Sequence, residues 1–298
     1  MPLMLEHYVL PEENGATVER LLKKHFDISS GLMCFLKYNS RLFLNNNVCR
    51  TVDVVAVGDK IAADIMENNE DNNQISEYNC KLNVIFEDEY MLVVNKPGNM
   101  ESHPCRSNYE TTLANAVMYY WHQKNEYHNY HIVNRLDKDS SGVCIIAKNR
   151  YTHGILSKQM IKNTFKKQYF AVIHGHIEPE NGRICLPIQR QGESIIKREV
   201  NENGQYAETL YKTVAKCSKY SGMEVELKTG RTHQIRVHFS HLGYPLVGDW
   251  LYGDGDNERR LISRQALHSH RIELFHPATK EKMVFTAEIP EEITKLFN

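Results

Sequence analysis

Apolar and polar positions follow two different periods along this chain, and the change of period divides it. Across residues 17–26, apolar side chains fall at Val18, Leu21, Leu22 and Phe26 with Lys23 and Lys24 between them, the spacing of one helical face. Ser29-Ser30-Gly31 breaks this pattern, and residues 32–38 predict a second short helix. Leu42-Phe43-Leu44-Asn45-Asn46-Asn47-Val48 reads as strand, turn, strand, and residues 52–61 add further β signal. A small module over residues 11–66 is therefore expected. Residues 67–79 hold few apolar groups and are expected to be a linker. Beyond them, in residues 80–298, short strand patterns dominate at 84–86, 91–94, 143–147, 169–173, 208–214 and 223–227. Helical patterns lie between some of these, at 113–124, 151–163 and 232–242, and a polar hairpin or loop is expected near 191–204. The expected fold class is α+β with a mixed sheet.

Composition narrows the class. The 298 residues are 41% hydrophobic and 24% charged, ordinary values for a soluble globular protein. No run of about 18 apolar residues is present, so no membrane span is expected. The first eight residues lack a basic region followed by an apolar core and do not read as a secretory signal. Seven cysteines without a Cys-x-x-Cys pair argue for free thiols in a reducing cytoplasm and against a structural zinc site. The net charge of -1 hides an asymmetry. Residues 1–90 carry 8 Lys+Arg against 15 Asp+Glu, whereas residues 91–298 carry 28 against 22. The larger part is basic, which fits a polyanionic partner.

Candidate chemistry centres on Val133-Asn134-Arg135-Leu136-Asp137-Lys138-Asp139-Ser140-Ser141-Gly142, which runs into the apolar stretch Val143-Cys144-Ile145-Ile146-Ala147. A carboxylate held in a tight loop beside a buried strand is a candidate nucleophile. Four further segments bear on it. They are Asn95-Lys96-Pro97-Gly98, Lys167-Gln168-Tyr169 with its following strand, Gly230-Arg231-Thr232-His233-Gln234-Ile235-Arg236-Val237-His238, and Ala266-Leu267-His268. Together with the Asp137 loop, these segments resemble the RluA/RluD family of RNA pseudouridine synthases, in that family's order, from about residue 82 to residue 290.

The resemblance implies a pseudouridine synthase fold with a largely antiparallel sheet. It implies that specific uridines in structured RNA are converted to pseudouridine without a cofactor or a metal. Asp137 takes the place of the nucleophile. Arg236 takes that of its ion-pair partner, which a buried carboxylate needs because burial raises its pKa. Tyr169 stands at the family's pocket tyrosine, where a ring stacks on the base and a hydroxyl assists removal of a ring proton. Arg135 would help to displace the flipped base, whose extrusion costs a few kcal/mol. Leu136 and Leu267 would supply apolar pocket contacts. Lys96 would shape the pocket wall or neutralise a phosphate, and Arg231 would face RNA. Thr232 is expected to cap a helix that carries Arg231 and Arg236 on different faces. Asn134 stands where the family pattern has histidine, a departure at what is expected to be the RNA-facing edge. The module over 11–66 is similar to the small αL RNA-binding module that precedes RNA-modifying domains.

Basic clusters at Lys158, Lys162, Lys166 and Lys167, at Lys197-Arg198, and at Arg259-Arg260 with Arg264 are candidate phosphate contacts. Two rival functions remain. His233, His238, His241, His268 and His270 invite a metal-dependent hydrolase, but no His-Glu-x-x-His pattern accompanies them. A catalytically inactive RNA-binding protein would not require the set Asp137, Tyr169 and Arg236 to be intact. The expected protein is a cytoplasmic monomer acting on ribosomal or transfer RNA, with both RNA classes open.

Overall fold

The computed structural model describes residues 3–66 and 75–297, so most of the expected linker lies outside the described residues. Strand β1 (Met4–Tyr8), helices α1 (Val18–Phe26) and α2 (Ser30–Tyr38), and strands β2 (Leu42–Leu44), β3 (Asn47–Val48) and β4 (Lys60–Asp64) form the N-terminal module. Its antiparallel strands run in the order β1-β4-β2-β3. Both helices begin at hydroxyl caps: Thr17 accepts from the Arg20 amide and Ser29 from the Leu32 amide. The break expected at Ser29-Ser30-Gly31 does end α1, at Phe26, but Ser29 also caps α2, which starts at Ser30, two residues earlier than expected. The β signal over 52–61 yields strand only from Lys60. Val52, Val54 and Val57 are exposed, and Asp53 and Asp59 turn the chain by accepting from the Arg50 and Ala56 amides. The sheet also begins earlier than expected, because β1 pairs with β4.

A buried carboxylate fastens this module. Glu13 receives His7 Nε2 at 2.6 Å, His25 Nε2 at 2.6 Å and Lys24 Nζ at 2.7 Å. The two imidazoles stack at 3.7 Å, nearly parallel, each directed at its own carboxylate oxygen. These hydrogen bonds clamp β1 to α1.

The larger part contains strands β5 (Val84–Glu87), β6 (Met91–Lys96), β7 (His131–Ile132), β8 (Ser141–Ala147), β9 (Lys166–His174) and β10 (Asn181–Cys185). It continues through the hairpin strands β11 (Ile188–Arg190) and β12 (Arg198–Val200), then β13 (Glu208–Lys216), β14 (Tyr220–Leu227), β15 (Leu267–Phe275) and β16 (Lys282–Thr286). Helices α3 (Leu113–Gln123), α4 (Arg150–Ile161) and α5 (Gln234–His241) flank the sheet. Its main order is β10-β13-β14-β9-β15-β8-β6-β5, with β16 added to β15 and β7 to β8. Pairing is antiparallel except between β8 and β15, which run parallel where His268 meets Ser141 and Ser269 meets Gly142. At this seam Gly142 has φ +113°, and a Cβ there would lie 2.3 Å from the Ser269 carbonyl oxygen. Only glycine permits so close an approach in that conformation.

Strand alternation sorts the core. Tyr169, Ala171 and Ile173 of β9 face the layer formed by Leu113 and Trp121 of α3 with Ile235 and Phe239 of α5. Val172 faces the other way, toward Ile293 and Leu296 near the C-terminus. Every residue of β8 is buried, with Cys144 and Ile146 on the α3 side and Val143 and Ile145 toward Leu156 of α4. Tyr151 and Ile155 on α4 also join the core of the N-terminal module, and Lys158 pairs with Asp27 at 2.6 Å. Helix α4 is therefore the element on which the module rests.

Candidate active site

The Asp137 loop enters β8 at the parallel seam, and buried hydrogen bonds set its path. Ser102 Oγ donates to the Leu136 carbonyl at 2.8 Å and accepts from the Leu136 amide at 3.3 Å. Lys96, wholly buried, donates to the carbonyls of Pro97, Met100 and Lys138 at 2.8, 2.7 and 3.0 Å. Burial pushes its ammonium down to about 8, so it stays protonated at neutral pH and uses its three N–H groups on these carbonyls. Lys96 therefore braces the loop from behind. Of its two expected roles, Lys96 is not free to reach a phosphate, and it shapes the wall only indirectly, through the loop.

Asn134 touches the cleft wall, but its side-chain amide is committed to backbone instead of to the RNA-facing edge. It is 5% exposed, donates to the Val143 carbonyl at 3.0 Å, and accepts from the Ile145 amide at 2.9 Å. A neutral amide does both with one planar group, and this fixes the loop against β8.

A cleft of about 1150 Å³ opens in front of the loop. Asp137, Tyr169, Arg236, Arg135, Leu136, Arg231 and Leu267 all line it. Asp137 is less buried than expected, with its side chain 27% exposed. Leu136 and Leu267 are buried at the floor, and Arg135 and Arg231 are exposed. Burial pushes the Tyr169 phenol well above its ordinary value, so it stands in the cleft as a neutral hydroxyl.

Arg236 reaches Asp137 Oδ2 with Nη1 at 3.4 Å, but its closer partner is a second acid. Asp249, wholly buried, takes Arg236 Nε at 2.7 Å and Nη2 at 2.8 Å, a bidentate pair. Asp249 also accepts from the amides of Leu251 and Tyr252, at 3.0 and 3.1 Å. The Tyr252 ring lies 5.0 Å from the Arg236 guanidinium carbon. No motif in the sequence analysis assigns Asp249 a role. The signal for it was a Gly248-Asp249 acid directly after apolar Leu246-Val247, thirteen positions beyond Arg236.

The start of α5 differs from expectation. Thr232 does not cap it; the capping position is His233, at φ 58° and ψ 20°, without a side-chain cap. The Gln234 side chain folds back to accept from the Arg231 amide and the Thr229 hydroxyl. Arg231 and Arg236 are thus separated because Arg231 precedes the helix. Arg231 Nε donates to the Tyr206 carbonyl at 2.9 Å, which holds the guanidinium at the mouth.

The expected basic clusters separate. Lys158 is committed to Asp27, while Lys167, on β9 rather than in helical register, lines the cleft together with Arg198. Arg264 is buried, pairs with Glu292 at 2.6 Å and donates to the Asp139 carbonyl at 2.9 Å, so it serves the fold. The five histidines do not assemble into a ligand set among the described residues. His238 is bonded to Thr209 and Leu186, and His268 to Ser141 and Ala287. The seven cysteines are free thiols, and no helix among the described residues is long and apolar enough to cross a membrane.

Comparison with known proteins places this arrangement. A family profile described as RNA pseudouridylate synthase matches residues 90–241. The chain is 39% identical over 263 residues to an uncharacterized RNA pseudouridine synthase, YhcT, of Bacillus subtilis, covering 88% of this chain and 83% of that protein. It is 33% identical over 271 residues to ribosomal large subunit pseudouridine synthase D of Pseudomonas aeruginosa, covering 87% and 84%. Among solved structures, human RNA pseudouridylate synthase domain containing 1 shares the fold, with a TM-score of 0.58 at 24% identity over 70% of this chain and 83% of that one.

Proposed function

This chain belongs to the RNA pseudouridylate synthase family and isomerises uridine in RNA to pseudouridine; from that premise we propose that Asp137 is its nucleophile and that the cleft receives a uridine flipped out of structured RNA. The observation that supports this most is the convergence of Asp137, Arg236 and Tyr169 on one cleft, from a loop, a helix and a strand far apart in sequence. The N1–C1′ bond breaks and the C5–C1′ bond forms, while C5 loses a proton and N1 gains one, so nothing enters or leaves overall. Arg236 and His233 both face Oδ2 of Asp137, which presents Oδ1 to the substrate.

Tyr169 offers its ring to the base and its hydroxyl to the ring proton. Leu136 and Leu267 exclude water from the floor. Arg135, exposed beside Leu136, stacks where the base has left the helix. Arg231 takes a phosphate at the rim. The relatives named for the large ribosomal subunit make ribosomal RNA the substrate we propose to test first. The protein works as a cytoplasmic monomer in this reading, with residues 11–66 as an accessory RNA-binding module, 67–79 as a linker and 80–298 as the catalytic domain. Exposed Lys37 and Tyr38 at the end of α2 give that module a cation beside an aromatic ring.

The decisive variant is Asp137→Asn, assayed on unmodified large-subunit ribosomal RNA by chemical labelling of pseudouridine. Isomerisation is expected to vanish while RNA binding stays within about threefold, because phosphate contacts dominate affinity. Full activity in this variant would remove Asp137 from the mechanism.

A further inference from the structure

His233 faces Asp137 in the reading above without a role of its own, and its placement gives it one. It occupies the left-handed backbone region at the start of α5, a conformation uncommon outside glycine. Such strain persists where the surroundings fix it, and it gathers at functional sites. Here it carries the imidazole into the cleft, where Nε2 lies 3.8 Å from Asp137 Oδ2.

The surroundings also favour one ring nitrogen for the proton. The Arg198 amide donates to the Tyr252 hydroxyl oxygen at 2.8 Å. The Tyr252 proton then points elsewhere, and His233 Nδ1 stands 2.9 Å from that oxygen. With Nδ1 as the acceptor of that proton, the imidazole proton sits on Nε2, the nitrogen that faces the Asp137 carboxylate, the one acceptor that calls for it. The facing charges come from several elements: Asp137 from the loop before β8, Arg236 from α5, Asp249 beyond it, and Arg198 from β12. Burial pushes the imidazole below its ordinary value near 6.5 against the pull of Asp137, and Arg236 and Arg198 act in the same direction as burial. The ring is therefore neutral at neutral pH, with a single directed N–H.

We propose that His233, held as its Nε2–H tautomer by Tyr252, is a positioning residue of the isomerisation, donating to Asp137 Oδ2 when substrate closes the 3.8 Å gap and so aiming Oδ1 at the base. Hydrogen bonds at such sites are often long without substrate and tighten in the complex. The chain Arg198–Tyr252–His233–Asp137 also links the β11–β12 hairpin to the nucleophile. This proposal rests on Asp137 being the nucleophile.

Three measurements test it. In the free protein, nitrogen NMR of labelled histidine should show His233 as a neutral Nε2–H tautomer at pH 7.5. An Nδ1–H tautomer or an imidazolium would overturn the proposal, and this readout does not depend on activity. The second measurement compares two variants, each checked for folding by thermal melting. His233→Asn tolerates the left-handed backbone and keeps an acceptor near Nδ1, but it has no donor at the Nε2 position. His233→Gln puts an amide N–H there. On unmodified large-subunit ribosomal RNA, the Asn variant should lose about tenfold in kcat with KM within about threefold, the scale of one hydrogen bond to a charged group. The Gln variant should recover to within about threefold of wild type. An Asn variant at wild-type kcat, or a Gln variant no better than Asn, would overturn the role. Third, kcat of the wild type should fall in acid below pH 6.5 as the imidazole gains a second proton and repels the Tyr252 hydroxyl hydrogen. The Gln variant should lack that limb, and an unchanged limb would count against His233. If wild type modifies no RNA while the tautomer is as stated, the functional reading has failed and the positioning geometry has not.

Discussion

At the scale of single residues, the site is governed by how two acids share one guanidinium. Arg236 is 4% exposed and Asp249 is fully buried, and their bidentate contact is shorter than the 3.4 Å reach to Asp137. Asp249 thus settles the charge and orientation of Arg236 before substrate arrives, and Asp137 meets a cation it does not have to hold. Asp249→Asn should leave a buried guanidinium without its compensating charge. Unfolding by urea should show a loss of about 3 kcal/mol, the range for breaking one side of a buried pair. In the folded fraction, Arg236 should turn toward Asp137, and kcat should fall by more than about tenfold as the nucleophile is tied down. Unchanged stability and rate together would mean that Asp249 does not govern Arg236. Lys96 and Asn134 carry the complementary lesson. Their residue types suggest contact with phosphate and RNA, but burial commits both to backbone partners of the Asp137 loop. A side chain's type can be read from sequence, while the carbonyls waiting for it belong to segments folded from elsewhere.

At the scale of elements, the parallel seam between β8 and β15 sets the floor of the site, and Gly142 is the reason the strands can meet. Gly142→Ala would add a Cβ 2.3 Å from the Ser269 carbonyl oxygen, at φ +113°. Gly243, just past α5, provides the control: its φ is +87°, with nothing within 4 Å of an added Cβ. Gly243→Ala should cost about 1 kcal/mol, the torsional penalty alone. Gly142→Ala should cost about 3 kcal/mol or more, because backbone must move as well. Chemical denaturation of the two variants separates steric from torsional cost; equal losses would refute the close approach.

The same seam explains what sequence could and could not reveal. Helices α1 and α3 and strands β8, β9 and β14 were legible because their apolar periods and caps are local. β15 was not recognised because its buried positions include His268 and Ser269, polar residues that strand patterning assigns to solvent. His268 is accommodated by Ser141 Oγ at 2.8 Å, a partner 127 positions away. Residues 52–59 misled in the opposite way, since Val52, Val54 and Val57, which look like strand, are exposed in an irregular segment. The candidate site was legible through its motifs. Its supporting shell of Asp249, His233 and Tyr252 was not, because that shell exists only through contacts across chain segments.

At the scale of the molecule, the question is whether the acidic first 90 residues and the basic remainder grip one RNA. The module is seated on α4 through Tyr151, Ile155 and the Lys158–Asp27 pair, and Met160 and Ile161 at the far end of that helix line the cleft. The test is whether one duplex contacts both the exposed end of α2 and the mouth where Arg231 is tethered by Tyr206. The net charge of -1 gives no general attraction, so affinity must come from local cations displacing counterions. Each phosphate contact contributes a slope of roughly -0.9 to log K against log salt. Arg231→Gln should weaken RNA binding and make that slope shallower by about one, across RNA sequences alike. Lys37→Gln should do the same if the module holds the same RNA, and the double variant should lose about two. Filter binding across a salt series measures all three. A Lys37 variant with the wild-type slope would place the module off the RNA, whereas an Arg231 variant with the wild-type slope would move the RNA path away from this rim. Because the two sites lie on different elements with no shared partner, their effects should add, and a sub-additive double variant would show that they compete for one phosphate region instead of marking two points along a single bound RNA.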